Sequence, residues 1–231
     1  MELRDLTDRL TARPIPDQLR ELASIFPGMV VFTTSFGLED QVLTHIIFEE
    51  NIPVRVATID TGRLFPETYK VLNEVIKRYK KQIEVYFPEY EPVEKMMTGK
   101  GPFSFYLSPD NRLECCRIRK VEPLQRILGN SSCWITGIRA DQSDNRRLMK
   151  QIDYDETRKL WKFLPLLSWS DGQTNDFIIK NSIPYNKLHD KGFASIGCQP
   201  CTRAVEAGED LRSGRWWWEN DGRKECGLHL K

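Results

Sequence analysis

Three observations make this chain an α/β protein with a mostly parallel sheet. Short β-branched runs alternate with amphipathic helical stretches. The runs are apolar on both faces, as strands covered by helices on each side must be. Gly, Pro and Asp bound them. At 231 residues the chain is long enough for one α/β domain with a real core, and too short for two of ordinary size.

The elements follow in order. Residues 3–26 carry Leu3, Leu6, Leu10, Leu19, Leu22 and Phe26 at helical spacing, and Pro14 and Pro16 split them. Met29 to Thr33, after Pro27-Gly28, suits a buried parallel strand. A polar loop from Thr34 to Asp40 leads into a helix through Glu50, with Val42, Leu43, Ile46 and Ile47 on one face. Val54 to Ile59 is the second strand and Asp60-Thr61-Gly62-Arg63 its loop. Phe65, Tyr69, Leu72, Ile76 and Tyr79 then form a helical stripe. Ile83 to Phe87 is the third strand. Cys115-Cys116 mark a helix start, continued by Ile118, Val121, Leu124 and Leu128, and Cys133 to Thr136 is the fourth strand. From Lys187 periodicity gives way to Gly, Cys, Arg and Trp. The expectation is a single domain with an α/β core over about 30–186 and an irregular segment over 187–231, held by something other than a large core. A metal centre would serve.

Charge and hydropathy narrow the function classes. The 34 basic and 33 acidic side chains leave a net charge of +1, which argues against coating nucleic acid or anionic membrane. The N-terminus has no signal-peptide pattern and no apolar run approaches membrane-spanning length, so a cytoplasmic protein is expected. There the six cysteines would stay reduced, which points to metal binding or redox chemistry rather than a disulfide framework.

Ligands of open α/β sheets sit beyond the carboxyl ends of strands. The loop Thr33–Asp40 has hydroxyls, a Gly for close approach and a following helix N-terminus that favours an anion. It lacks the lysine and glycine spacing of a Walker A loop. Asp60 can bind ribose hydroxyls or cap a turn. The fourth strand leads into Arg139, Arg146 and Arg147, whose planar forks suit phosphate or sulfate; a solvated run is the alternative.

Cys115-Cys116 and Cys198-Gln199-Pro200-Cys201 together suit a four-thiolate site, either a cubane cluster or tetrahedral zinc. Adjacent cysteines are unusual for structural zinc; a redox disulfide within the second pair is a further alternative. Cys133, in an apolar strand, reads as a small hydrophobe. Cys226 stands near the C-terminus beside Arg223, Lys224 and His229, cations that could enlarge its thiolate fraction; a tail cysteine without a role is the alternative that composition alone favours.

Long, ordered motifs from about residue 30 onward resemble the assimilatory adenylyl-sulfate and phosphoadenylyl-sulfate reductases. They are Thr34-Ser35-Phe36-Gly37 with Glu39-Asp40, Asp60 through Thr68, Cys115 through Lys120, Trp134 through Arg139, Gly197 through Arg203, Gly208 through Glu219, and Glu225-Cys226-Gly227-Leu228-His229. The resemblance implies a Rossmann-like, adenine nucleotide α-hydrolase-like sheet related to ATP pyrophosphatases. It implies one [4Fe–4S] cluster per subunit on Cys115, Cys116, Cys198 and Cys201. Cys226 would be the nucleophile, forming a thiosulfonate that thioredoxin or glutaredoxin resolves to sulfite. Lys120 would face cluster and sulfate; Arg147, Arg212, Arg215 and His229 would hold phosphate and sulfate oxygens; Ser35 would serve the nucleotide loop. Members with both cysteine pairs resemble adenylyl-sulfate enzymes, with a phosphoadenylyl-sulfate or dual-specificity reductase as the alternative. The same resemblance is compatible with a homo-oligomer. A cluster-bearing tRNA thiolation enzyme would want a glycine-rich ATP loop and a basic face, and a zinc-stapled binding module would leave Cys226 without a task.

Overall fold

A computed structural model describes residues 3–10 and 13–219. Helices α1 (Leu3–Leu10) and α2 (Ile15–Ile25) are separated at Pro14, and Pro16 lies in the first turn of α2, where a missing N–H costs nothing. Then come β1 (Val30–Thr34), α3 (Leu38–Glu49), β2 (Arg55–Ile59), α4 (Pro66–Tyr79) and β3 (Glu84–Tyr86). Helices α5 (Tyr90–Lys100) and α6 (Pro109–Cys116) follow. A π-helical turn (Arg117–Val121) leads into α7 (Glu122–Leu128) and β4 (Cys133–Ile135). The short α8 (Asp144–Arg147), the strands β5 (Ile152–Asp155) and β6 (Leu160–Phe163), and α9 (Asp171–Lys180) complete the regular structure.

One expectation needs correcting: Cys115 and Cys116 lie inside a helical run rather than at its start, because α6, the π-helical turn and α7 follow one another without a break. Helix α6 begins earlier, where the Ser108 side chain accepts from the Asn111 N–H at 3.2 Å and Pro109 occupies the first turn.

The strand order is β3-β2-β1-β4-β6-β5. β1 pairs in parallel with both β2 and β4, and β4 with β6. The sheet therefore grows in one direction from β1 through β2 and in the other through β4. That reversal makes the carboxyl ends of β1 and β4 the topological switch point, where such sheets bind ligands. β5 returns antiparallel to β6 as an edge hairpin.

The chain packs as two units. The first takes the described residues up to Thr58, with Glu67–Glu84 and Asn130–Asn186. Its core gathers Val30 and Phe32 of β1, Leu43 and Ile47 of α3, Leu19 and Leu22 of α2, and Ile135 of β4. Cys133 is fully buried there, and burial raises its thiol pKa, so it packs as a neutral hydrophobe. The second unit takes Ile59–Pro66, Val85–Gly129 and the described residues from Lys187. Its smaller core is built around sulfur: Met96, Phe105, Ile118 and Trp216 pack with Cys115, Cys198 and Cys201. From Lys187 onward the backbone forms 3₁₀ turns and an isolated bridge between Thr202 and Arg215 in place of helices or strands. No helix among the described residues is long and apolar enough to cross a membrane.

Candidate functional site

In the first unit, the loop after β1 is organised by one carboxylate. Asp40, in the first turn of α3, accepts the backbone N–H of Ser35 at 2.6 Å and its hydroxyl at 2.8 Å. The hydroxyl proton of Ser35 is thus engaged inward, leaving its oxygen lone pairs for a ligand. Burial pushes the Asp40 carboxyl up to about 6, against the lowering effect of these bonds. Gly137, just past β4, is where a side chain is impossible: a Cβ there would run into Asp40 Oδ1 and sit 3.1 Å from the Asp40 nitrogen. The ends of β1 and β4 approach this closely because position 137 has no side chain.

Past β4 the arginines part company. Arg139 is buried and donates Nε to Glu39 at 2.6 Å and Nη2 to Asp171 at 3.0 Å, so its charge is neutralised within the fold. Arg146 is buried and donates to the Gln142 side chain. Arg147 is exposed on α8. The expected convergence of arginines on a phosphate site is therefore corrected for Arg139, and the burial of Arg146 rules out a solvated run at that position.

In the second unit, Cys115, Cys116, Cys198 and Cys201 line one cavity, with Lys120, Arg63, Arg112, Arg119, Phe105 and Trp216. All four thiols are buried and reduced. Adjacent residues on a helix point about 100° apart, so the cavity that both Cys115 and Cys116 line spans more than one face of the helix. Cys198 caps a 3₁₀ turn (Gln199–Cys201) that carries Pro200 in its first positions and ends on Cys201. The loop after β2 braces both pairs. Thr61 Oγ1 lies 3.3 Å from Cys198 Sγ, and the Gln199 N–H donates to the Arg63 carbonyl at 2.8 Å. Arg119 donates to the Thr61 carbonyl at 2.6 Å and hydrogen-bonds the Cys115 sulfur.

The electrostatics suit thiolates that carry a metal. Burial raises the pKa of Cys115, opposed by Arg119 and Arg63, and burial then the neighbouring Cys198 push Cys201 up to about 12, opposed by Lys120 and Arg215. As free thiols they keep their protons at neutral pH; a metal would displace them. The lining includes four cations and no carboxylate, which compensates buried negative charge. Among the described residues no three His, Cys, Asp or Glu side chains converge on a point fit for one ion.

Arg215 is buried, stacks over Trp216 with its guanidinium carbon 4.9 Å from the ring centroid, and donates to Ser195 Oγ at 3.3 Å. It fits only because position 197 is glycine: a Cβ there would collide with its guanidinium. Arg212 is half-buried, and its N–H donates to Asp210 at 2.8 Å. Cys226 and His229 lie outside the described residues. Sequence reasoning missed Arg63, Arg112 and Arg119. For two of these a signal existed: Arg112 stands three residues before Cys115 and Arg119 four after it, the spacings that share a helix face. Arg63 meets the cavity through tertiary folding, donating to the Pro102 carbonyl at 2.7 Å.

The adenosine 5′-phosphosulfate reductase of Allochromatium vinosum is 47% identical over 212 residues, spanning 92% of this chain and 81% of its own. The phosphoadenylyl-sulfate reductase of Candida auris, in its phosphate complex, superposes with a TM-score of 0.71 at 28% identity, over 89% of this chain and 98% of that one. The FMN adenylyltransferase of Candida glabrata, with FMN and an ATP analogue, shares the fold alone: TM-score 0.56 at 16% identity, over 92% of this chain and 70% of that one. The sheet is thus of the Rossmann-like, adenine nucleotide α-hydrolase type. The phosphoadenosine phosphosulfate reductase domain model matches residues 29–204, and this chain belongs to that family.

Proposed function

We propose that this protein reduces adenylyl sulfate to sulfite and AMP. The observation that carries the reading is the single cavity in which two cysteine pairs, from α6 and from the 198–201 turn, meet Lys120 and three arginines. The relative from Allochromatium vinosum, named for the same substrate, supports it. We assign residues of about 30–186 to a nucleotide-binding α/β core that also lends Cys115, Cys116 and Lys120 to the metal centre, and residues 187–231 to the rest of that centre and the reactive thiol.

Cys115, Cys116, Cys198 and Cys201 would hold a [4Fe–4S] cluster, one per subunit. A cubane would seat each of the four thiolates on a different iron. What supports the reading is that all four cysteines line one cavity with four cations. When bound, the cluster would supply an electrostatic environment next to the sulfate. Lys120 donates to sulfate oxygens and offsets the charge that builds on them. Arg147, Arg212, Arg215 and His229 supply further donors, with bidentate forks from the arginines. Ser35 accepts from the nucleotide, its own proton being held by Asp40.

The reaction then needs only thiol chemistry. The Cys226 thiolate attacks the sulfate sulfur. A sulfur–sulfur bond forms, the bond from sulfur to the bridging oxygen breaks, and AMP leaves with that electron pair. One thiolate of a dithiol protein, thioredoxin or glutaredoxin, attacks Cys226 Sγ and releases sulfite, and its second thiol resolves the mixed disulfide. The dithiol is oxidised by two electrons as the sulfur is reduced by two.

The test is Cys226→Ser in protein purified without oxygen. Sulfite release should fall to background while the visible absorption of the cluster is kept, and wild-type protein incubated with adenylyl sulfate should carry a sulfonate on Cys226 by peptide mass spectrometry. Turnover by the serine variant would end the assignment. Comparing adenylyl sulfate with its 3′-phosphorylated form in the same assay separates a strict enzyme from a dual one.

A further inference from the structure

The last described stretch of the chain is held by more constraints than a surface turn requires. Trp216 is buried with a left-handed backbone, φ +44°, a conformation that a bulky residue adopts only where its surroundings impose it. Its N–H donates to the Cys201 carbonyl at 3.2 Å, and its indole lies between two guanidinium groups, Arg112 at 4.8 Å and Arg215 at 4.9 Å. The Glu219 N–H closes a turn onto the Trp216 carbonyl at 2.9 Å. The Glu219 side chain then meets Arg112 fork to fork: Nε to Oε1 and Nη2 to Oε2, both 2.9 Å. The two side chains are only 4% and 3% exposed.

A buried ion pair adds little net stability over apolar residues of the same volume, because desolvation offsets the attraction. What a two-point fork supplies is direction. Arg112 lies in α6 one turn before Cys115 and lines the cysteine cavity. Glu219 stands seven residues before Cys226, a stretch that reaches at most roughly 25 Å when extended. The pair therefore ties the helix that carries the first cysteine pair to the root of the segment that carries the thiol.

We infer that Arg112 and Glu219 are positioning residues: their buried fork fixes the chain seven residues before Cys226, and so sets the rate at which its thiol meets the sulfate sulfur. This rests on the reading of Cys226 as nucleophile.

The test uses full-length, iron-loaded protein in single turnover with adenylyl sulfate, reading the Cys226 adduct by quenched-flow mass spectrometry, with iron content and equilibrium nucleotide binding measured in parallel. Glu219→Ala should slow adduct formation at least tenfold, with iron content kept and nucleotide affinity within about twofold. Arg112→Lys, which keeps the buried charge but loses the fork, should slow it by a smaller factor, and the charge-neutral Glu219→Gln should also fall between. Adduct formation at the wild-type rate in Glu219→Ala and Arg112→Lys would overturn the inference while leaving the nucleophile in place. So would loss of iron in step with rate in both, which would make the pair a structural support of the metal centre. If wild-type protein forms no Cys226 adduct, the nucleophile assignment fails first and the anchor falls with it.

Discussion

Asp40 holds a negative charge in a place that resists one. Its folded-state pKa of about 6 lies above the ordinary 3.8, chiefly through burial. The folded state thus binds the proton more tightly than the unfolded chain. The stability this contributes is fully present below pH 3.8 and is lost as pH rises through 6. At about 1.4 kcal/mol for each pH unit, the loss reaches at most about 3 kcal/mol. Asn at position 40 does not titrate. Urea unfolding at a series of pH values should therefore show wild type losing ground against Asp40→Asn between pH 4 and 7, and a constant gap would mean that the carboxyl titrates normally. At this scale the meeting of four cysteines in one cavity was legible because two close pairs in one chain suit a shared site. Lys120 was legible through the motif it belongs to. Thr61 and Glu219 were not, since a threonine in a turn and a glutamate after three tryptophans acquire meaning only from partners 137 and 107 positions away.

The 198–201 turn keeps its backbone without its thiols. Thr202 Oγ1 donates to the Cys198 carbonyl at 2.9 Å and accepts the Gly197 N–H at 3.2 Å. Cys198→Ser should therefore remove one metal donor and leave the turn formed. The expected result is a colourless protein with no sulfite release but a wild-type far-ultraviolet circular dichroism spectrum; retained visible absorption would remove Cys198 from the ligand set. The parallel strands and their helices were readable because period and composition agree. The β5–β6 hairpin was not, for a physical reason: its turn carries no Gly, Pro or Asn. Lys159 takes the left-handed conformation instead, with φ +54°, and Asp155 accepts the Arg158 N–H at 2.9 Å. Helix α9 did carry a sign, the capping box in which Ser170 and Gln173 bond each other's backbone. The start of α6 hid in a tract whose only marker is Ser108-Pro109.

On the scale of the whole molecule, the second unit has a small apolar core of which three cysteines are members. With the proposed cluster bound, a core of that size would draw much of its stability from it. Hydrogen exchange should show protein stripped of iron losing protection over Val85–Gly129 and from Lys187 to Glu219, while β1 and α3 keep theirs. Equal loss across the chain would mean that the metal stabilises both units as one cooperative body. The second unit is also discontinuous: it is assembled from three stretches separated by segments of the first. During synthesis, Cys115 and Cys116 leave the ribosome roughly eighty residues before Cys198, a delay of roughly 4–16 s at about 5–20 residues per second. For that interval a vicinal dithiol waits for its counterpart, so the proposed cluster would be completed only at the end of biogenesis, with oxidants competing for the waiting thiols.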